Sequence, residues 1–338
     1  MSSSKLTSWI TRSATSRAVP HTTTDHDQAL EAILSPAQLP QAPAVAVRVV
    51  EAATHDDCLP REIGAMIANE PGFAASLLHS VNTAREAASR PVNSVDRAVL
   101  LVGLNKVRAM ALGLSLPALR PQARYDRGAM EHSLASISGA IIARELAARR
   151  GDADPEEELN AALLRDIGVL LIQQTYPTAW AGHIARGGDP LLAEACQRER
   201  EAFGIDHAEV SAEVLKRWGL PDEIYEPIRH HHHPERLAGT RYAQRAELLW
   251  FAGLLTRLEA VVEHPEALDL ILSVAGRRFG FSVGSLAEFL DTVRPQIRDF
   301  ADVLNREIGR CPDYASLLTH AAAELSRASP GRAAPVAR

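Results

Sequence analysis

Residues 90–112 read RPVNSVDRAVLLVGLNKVRAMAL, and the fold class turns on this stretch. Asn93 and Ser94 can cap a helix, each offering a side-chain oxygen to a first-turn N–H. Val95, Ala98, Val99 and Val102 then fall on one face of that helix. Gly103 marks a tight turn, and a further helix starts near Leu104. The apolar period is helical throughout, with none of the two-residue alternation of a strand.

The same pattern extends upstream. Phe73, Leu77, Leu78 and Val81 form another helical stripe. Before it, Asp57 and Pro60 open a helix that stops ahead of Pro71. Val45, Val49 and Val50 predict an inward face after an extended connector at Pro36, Pro40 and Pro43. The first ordered helix carries Leu30, Ile33 and Leu34, with Thr24 or Asp25 as its cap.

Downstream, a long helix around His132 runs to Arg150 and ends at Gly151. Pro155 and Glu156, Glu157 and Glu158 suit the first turn of the next, where acids meet the positive end of the helix dipole. Asp206 predicts an N-cap for a helix ending at Gly219, and Pro221 opens another. Helical patterns continue from Arg241 to Arg327. Gly187-Gly188 reads as a surface turn, and Arg144, Arg149 and Arg150 as a solvated face. No Asn-Gly hairpin and no fixed-period repeat interrupts the series. An all-α protein is expected.

Bulk composition agrees and narrows the function. Hydrophobic residues make up 46% of 338 and aromatics 5%, which suits a core of Leu, Ala, Val and Ile in packed helices. Lys plus Arg number 36 against 42 for Asp plus Glu, so a net charge of -6 gives no whole-chain attraction to DNA or anionic lipid. Cys58, Cys196 and Cys311 form no CxxC pair and fit a reducing compartment. No apolar run of eighteen residues and no secretory leader is visible, so a cytoplasmic location is expected. The Ser/Thr-rich start, with Lys5, Arg12 and Arg17 and no acid before Asp25, reads as a disordered tail over residues 1–24, with a transit peptide as the alternative. Neither a nucleophile elbow, a P-loop nor a dinucleotide fingerprint is present.

Three stretches resemble the HDOD family, a divergent branch of the HD-domain metal phosphohydrolases: LPQAPAVAVRVV at 39–50, the stretch quoted first, and FGIDHAEVSAEVLKRWGLPDEIYEPIRHHHHPE at 203–235. The resemblance spans roughly residues 28–236. It implies a multi-helix HD-domain-like bundle, with an N-terminal helical subdomain, a domain over 25–236, a C-terminal helical extension over 237–327 and a tail over 328–338. It also implies a part in bacterial signal transduction, often in cyclic dinucleotide networks.

An active HD centre gathers histidines and aspartates from several helices around one or two metal ions. Carried onto this sequence, the resemblance makes His132 the first histidine and His207 the third position, with His231 and His232 as the adjacent pair. The His-Asp doublet falls on Arg165 and Asp166, and the closing aspartate on Gly253. The site is therefore degenerate. A guanidinium has no lone pair for a metal and stays charged at physiological pH, so Arg165 argues against a dinuclear centre and is expected to pair with Asp166 or a neighbouring acid, or to clamp a phosphate. Plainer readings stand beside these: His132 as a core histidine, Asp166 as a structural acceptor, His55 with Asp56 and Asp57 as capping chemistry. His230, His231, His232 and His233, as four consecutive residues on a helix, point to different faces and cannot all ligate one ion.

These readings predict no resident cofactor, with a residual divalent metal on His132, Asp166, His207, His231 or His232 as the exception. The leading function is a non-catalytic signalling or scaffold module that binds a protein partner, or a cyclic dinucleotide or other phosphate ligand. The alternative is a metal-dependent phosphohydrolase with a reduced site.

Overall fold

The computed structural model describes residues 23–35, 60–68, 73–74, 77–78, 81, 92–104, 107, 110–111, 127–152, 155–185, 195–218, 220–258, 265–303 and 311–328. Among them the regular structure is helical, and the all-α expectation holds. The helix expected from Val45, the His55-Asp56-Asp57 segment, Cys58, Gly187-Gly188 and residues 1–22 and 329–338 of the expected tails lie outside the described residues, while Thr23, Thr24 and Ala328, expected in those tails, are helical.

We number the helices α1 (Thr23–Ile33), α2 (Pro60–Ala68), α3 (Val95–Val102), α4 (Arg127–Arg150), α5 (Pro155–Leu164), α6 (Ile167–Thr175), α7 (Pro177–Ala185), α8 (Ala195–Phe203), α9 (His207–Arg217), α10 (Asp222–Arg229), α11 (Ala243–Thr256), α12 (Pro265–Phe279), α13 (Val283–Val303) and α14 (Tyr314–Ala328). A 3₁₀ turn, Pro234–Leu237, separates α10 from α11. α1 begins at Thr23, ahead of the expected caps Thr24 and Asp25, which fall in its first turn.

The decisive stretch behaves as its sequence requires. Ser94 Oγ accepts from the Arg97 N–H, α3 buries Ala98 and Val99, and Gly103 leaves the helix at φ 83°. α3 lies against α2, where Gly64 faces the Asp96 carboxylate. Ile63, Ile67, Phe73, Leu77, Val81, Val99 and Met110 form a small apolar cluster of their own.

A larger cluster forms around α4, which packs along α5 and α11 and is crossed by α13. Gly151, at φ 86°, closes α4, its N–H and that of Asp152 returning to the Ala147 carbonyl. That turn lays α5 back along α4. The C-terminal helices share this core through Leu268, Ile271, Leu290, Ile297 and Leu318. Of the basic residues expected on a solvated face, Arg149 and Arg150 are exposed and Arg144 is half-buried, and all three also reach neighbouring segments. Arg144 bonds Gln296, Arg149 stacks over Phe281 with its guanidinium carbon 4.3 Å from the ring centre, and Arg150 donates to the Gln244 carbonyl.

α6 and α9 cross at very short range because Gly168 has no side chain. A Cβ there would stand 2.1 Å from the His207 carbonyl oxygen, while the Gly168 N–H donates to Ser211 Oγ at 2.9 Å. This crossing brings Asp166, just before α6, beside His207, the first residue of α9.

Candidate metal centre

Asp206 caps α9 by accepting from the Glu209 N–H at 2.9 Å, and this sets the start of the helix at His207. The His207 ring is completely buried. Its Nδ1 lies 2.6 Å from Glu199 Oε2, which also accepts the His207 backbone N–H at 2.8 Å. Glu199 was not among the expected site residues, yet its own stripe held a signal. On α8 it shares the buried face with Cys196 and Phe203, and a carboxylate there requires a partner.

The histidine run is not helical. α10 ends at Arg229, and His230 to His233 follow in turns. Pro227 prepares this. It has no N–H for the Glu223 carbonyl four residues back, which accepts instead from Arg245 Nη1 at 2.6 Å. The expectation that successive histidines point to different helical faces is therefore corrected. The turn lets His231 and His232 reach the same point from adjacent positions.

One donor atom from each of Asp166, His207, His231 and His232 lies within 4.8 Å of the others. His232 Nε2 is 3.0 Å from His207 Nε2; Asp166 Oδ1 is 3.2 Å from His231 Nε2 and 3.6 Å from His207 Nε2. Donors at ~2.0–2.1 Å from a tetrahedral ion are about 3.3 Å apart, so these spacings bracket that edge.

Hydrogen bookkeeping points the same way. His231 Nδ1 sits 2.7 Å from the Ile228 carbonyl, which can only accept, so Nδ1 carries the hydrogen. In the neutral ring Nε2 is then a bare lone pair facing the carboxylate oxygen Asp166 Oδ1. Both atoms are buried and have no hydrogen-bond partner among the described residues. Two acceptors in contact need a cation or a proton between them. Burial opposes charge on His207, but Glu199, Asp166 and Asp206 outweigh it and push its pKa up to about 9. Burial pushes the pKa values of His231 and His232 down, so both are neutral ligands at pH 7. Once His207 gives up its Nε2 proton, the residues present would fit a transition-metal ion: three imidazoles and one carboxylate, with Glu199 and the Ile228 carbonyl orienting two of the rings from behind.

Arg165 sits beside this cluster at 1% exposure. Nε donates to Asp166 Oδ2 and Nη1 to the Leu249 carbonyl, both at 2.9 Å. Burial works against the Asp166 carboxylate, but Arg165, together with His231 and His207, holds its pKa well below the usual range. Two glycines make room for the guanidinium. A Cβ at Gly253 would lie 2.9 Å from Nη1, and one at Gly139 would lie 3.2 Å from Nη2. Gly253 and Leu249 both belong to α11, so that helix supplies part of the surroundings of the guanidinium. His132 stands apart from the four ligand atoms. It is half-buried on α4 with Nε2 3.5 Å from Ser136 Oγ.

Residues 39–234 match the HDOD domain family, well over half of the chain. The chain belongs to that family. Solved structures of similar fold include an HDOD domain protein from Geobacter sulfurreducens, with a TM-score of 0.55 and 21% identity over 90% of this chain and 97% of that one. A protein of Shewanella amazonensis named as a candidate phosphohydrolase also gives 0.55, at 20% identity over 86% of this chain and 93% of that chain. At these identities the likeness is one of fold. An uncharacterized Treponema pallidum protein is 23% identical over 199 residues, 57% of this chain. The match spans only 37% of that protein's length. No described helix is long and apolar enough to cross a membrane.

Proposed function

We propose that this HDOD protein is a non-catalytic regulatory module of a bacterial signalling pathway, working by association with a protein partner or a phosphate-bearing ligand. One observation carries the reading: at the place of the doublet histidine stands a buried guanidinium, bonded to Asp166 and to the Leu249 carbonyl. A positive charge about 4 Å from a divalent ion costs about 8 kcal/mol at an effective dielectric near 20, twice the figure for unit charges. A second ion beside Asp166 is therefore disfavoured. The four ligating residues and Arg165 are also nearly closed off: His207, Asp166, Arg165 and His231 are all buried, and His232 is half-buried.

The convergence of four ligand atoms favours a second reading, a one-ion phosphohydrolase. Asp166, His207, His231 and His232 would hold the ion, and Glu199 would orient His207. A bound divalent ion supplies Lewis acidity. Arg165 would keep Asp166 ionised, and with Nε and Nη1 already bonded only Nη2 would be left for a phosphate oxygen.

Hydrolysis of bis(p-nitrophenyl) phosphate and of a cyclic dinucleotide, assayed with Mn²⁺, Fe²⁺ and Zn²⁺, separates the two. We expect no turnover above buffer. Turnover that disappears in Asp166→Ala would overturn the non-catalytic reading.

A further inference from the structure

We propose that the cluster is a one-cation site whose second cation is Arg165 itself, and that Arg165, Gly139 and Gly253 together fix the ion count at one per chain. The inference rests on the assignment of this cluster as the protein's metal centre, and it stands whether or not the centre turns over substrate.

The two oxygens of Asp166 face different groups. Oδ2 takes the Arg165 Nε–H, whereas Oδ1 faces the Nε2 atoms of His231 and His207 at 3.2 and 3.6 Å. A carboxylate that holds a positive group on one oxygen and offers the other to imidazole Nε2 atoms can bridge two cationic positions. One position is covalently filled by a guanidinium. The other is lined by three imidazole Nε2 atoms and fits an ion.

Space supports the same assignment. The guanidinium lies against two glycines on different helices, Gly139 of α4 and Gly253 of α11, and any side chain at Gly253 would meet Nη1 at 2.9 Å. A side chain at position 253 and this placement of the Arg165 guanidinium exclude each other. The Leu249 carbonyl, one helical turn before Gly253, accepts from Nη1 and holds the guanidinium in that space. Nη2 faces Gly139 and has no partner among the described residues, so no second acid neutralises the charge on that side. The fixed charge therefore acts on the neighbouring ion position, limiting both the number of ions and the affinity for the one that binds.

The test is the zinc stoichiometry of tag-free full-length protein, measured by elemental mass spectrometry and titration calorimetry, alongside circular dichroism for folding. We expect one Zn²⁺ per chain in the native protein, none in Asp166→Ala, and two in the double variant Arg165→His with Gly253→Asp. Arg165→Gln keeps a side chain of similar reach without the charge, and should bind its one ion at least tenfold more tightly. Zero or two ions on the native protein would overturn the proposal, as would unchanged or weaker affinity in folded Arg165→Gln. A folded double variant that stays at one ion would overturn the role of the triad. Turnover by the native protein with one ion bound would leave this inference intact and remove the non-catalytic reading instead.

Discussion

The Arg165 guanidinium and Gly253 form a matched pair, and the match can be measured. Gly253→Ala adds a methyl 2.9 Å from Nη1, against a side chain pinned by Asp166 and Leu249. Overpacking of this kind costs about 1–3 kcal/mol. Alanine in mid-helix returns ~1 kcal/mol of helix propensity, so the single variant alone decides little. A double-mutant cycle with Arg165→Ala isolates the contact. We expect Gly253→Ala to stabilise the Arg165→Ala protein and to destabilise the native one, with a coupling of about 1–2 kcal/mol in urea denaturation. Coupling near zero would mean that the glycine has no part in seating the arginine. At this scale the sequence showed the ligand residue types but not their distances. Arg165 was readable as a fixed charge without a lone pair, because that follows from its chemistry alone. Glu199 was not, since nothing in a single sequence says that a glutamate eight residues before a histidine shares its buried turn. The backbone acceptor at Leu249 leaves no trace in side-chain identity at all.

Between elements, close approaches position the site, and glycine marks them. α6 and α9 cross where Gly168 meets the His207 carbonyl at a distance that admits no Cβ. The atoms that a Cβ would meet are backbone atoms of His207 and Ser211, so neither helix can yield by rotating a side chain. Gly168→Ala should lose at least about 3 kcal/mol of stability, more than the ~1 kcal/mol that alanine adds to a helix. It should also weaken zinc binding, because the same crossing sets Asp166 against His207. Urea denaturation and calorimetry on the one variant check both, and retention of native zinc affinity would sink the link. Helix limits at this scale were largely legible: Ser94, Asp206, Gly103 and Gly151 act as the caps and turns that their residue types suggest. The histidine run was misread because Pro227 lies inside α10, and the helix then stops two residues later, at Arg229. A proline can be tolerated in a short helix when another donor takes the freed carbonyl, and here that donor, Arg245, comes from a distant helix. Arg149 and Arg150 of α4 are exposed as expected, but the tertiary contacts of the α4 arginines were not legible. Their spacing reads as a polar face, and only tertiary contact shows Gln296, Phe281 and Gln244 lying opposite.

Across the whole molecule, the buried side chains divide into two apolar clusters of unequal size. The smaller draws on residues between Ile63 and Ala111, a span of roughly fifty residues that is marginal as an independent folding unit. The larger is built on α1 and α4 to α14 and surrounds the candidate centre. The smaller unit also carries Leu100 and Leu101 on its surface, at 67% and 45% exposure. Unequal cores predict unequal stability, so the smaller unit should open at lower denaturant than the larger one. Leu77 is fully buried in the small cluster, and Leu77→Ala should cost about 2–5 kcal/mol there. Hydrogen-exchange mass spectrometry in increasing urea follows the two units separately. We expect Leu77→Ala to lower the protection of α2 and α3 while α4, α5 and α11 keep theirs. Zinc stoichiometry should be unchanged, because all four ligands, Arg165 and both glycines that seat it belong to helices and turns of the larger unit. Equal loss of protection in both sets of helices would show one cooperative core, and the small unit could then not open by itself to meet a partner while the metal centre stays closed.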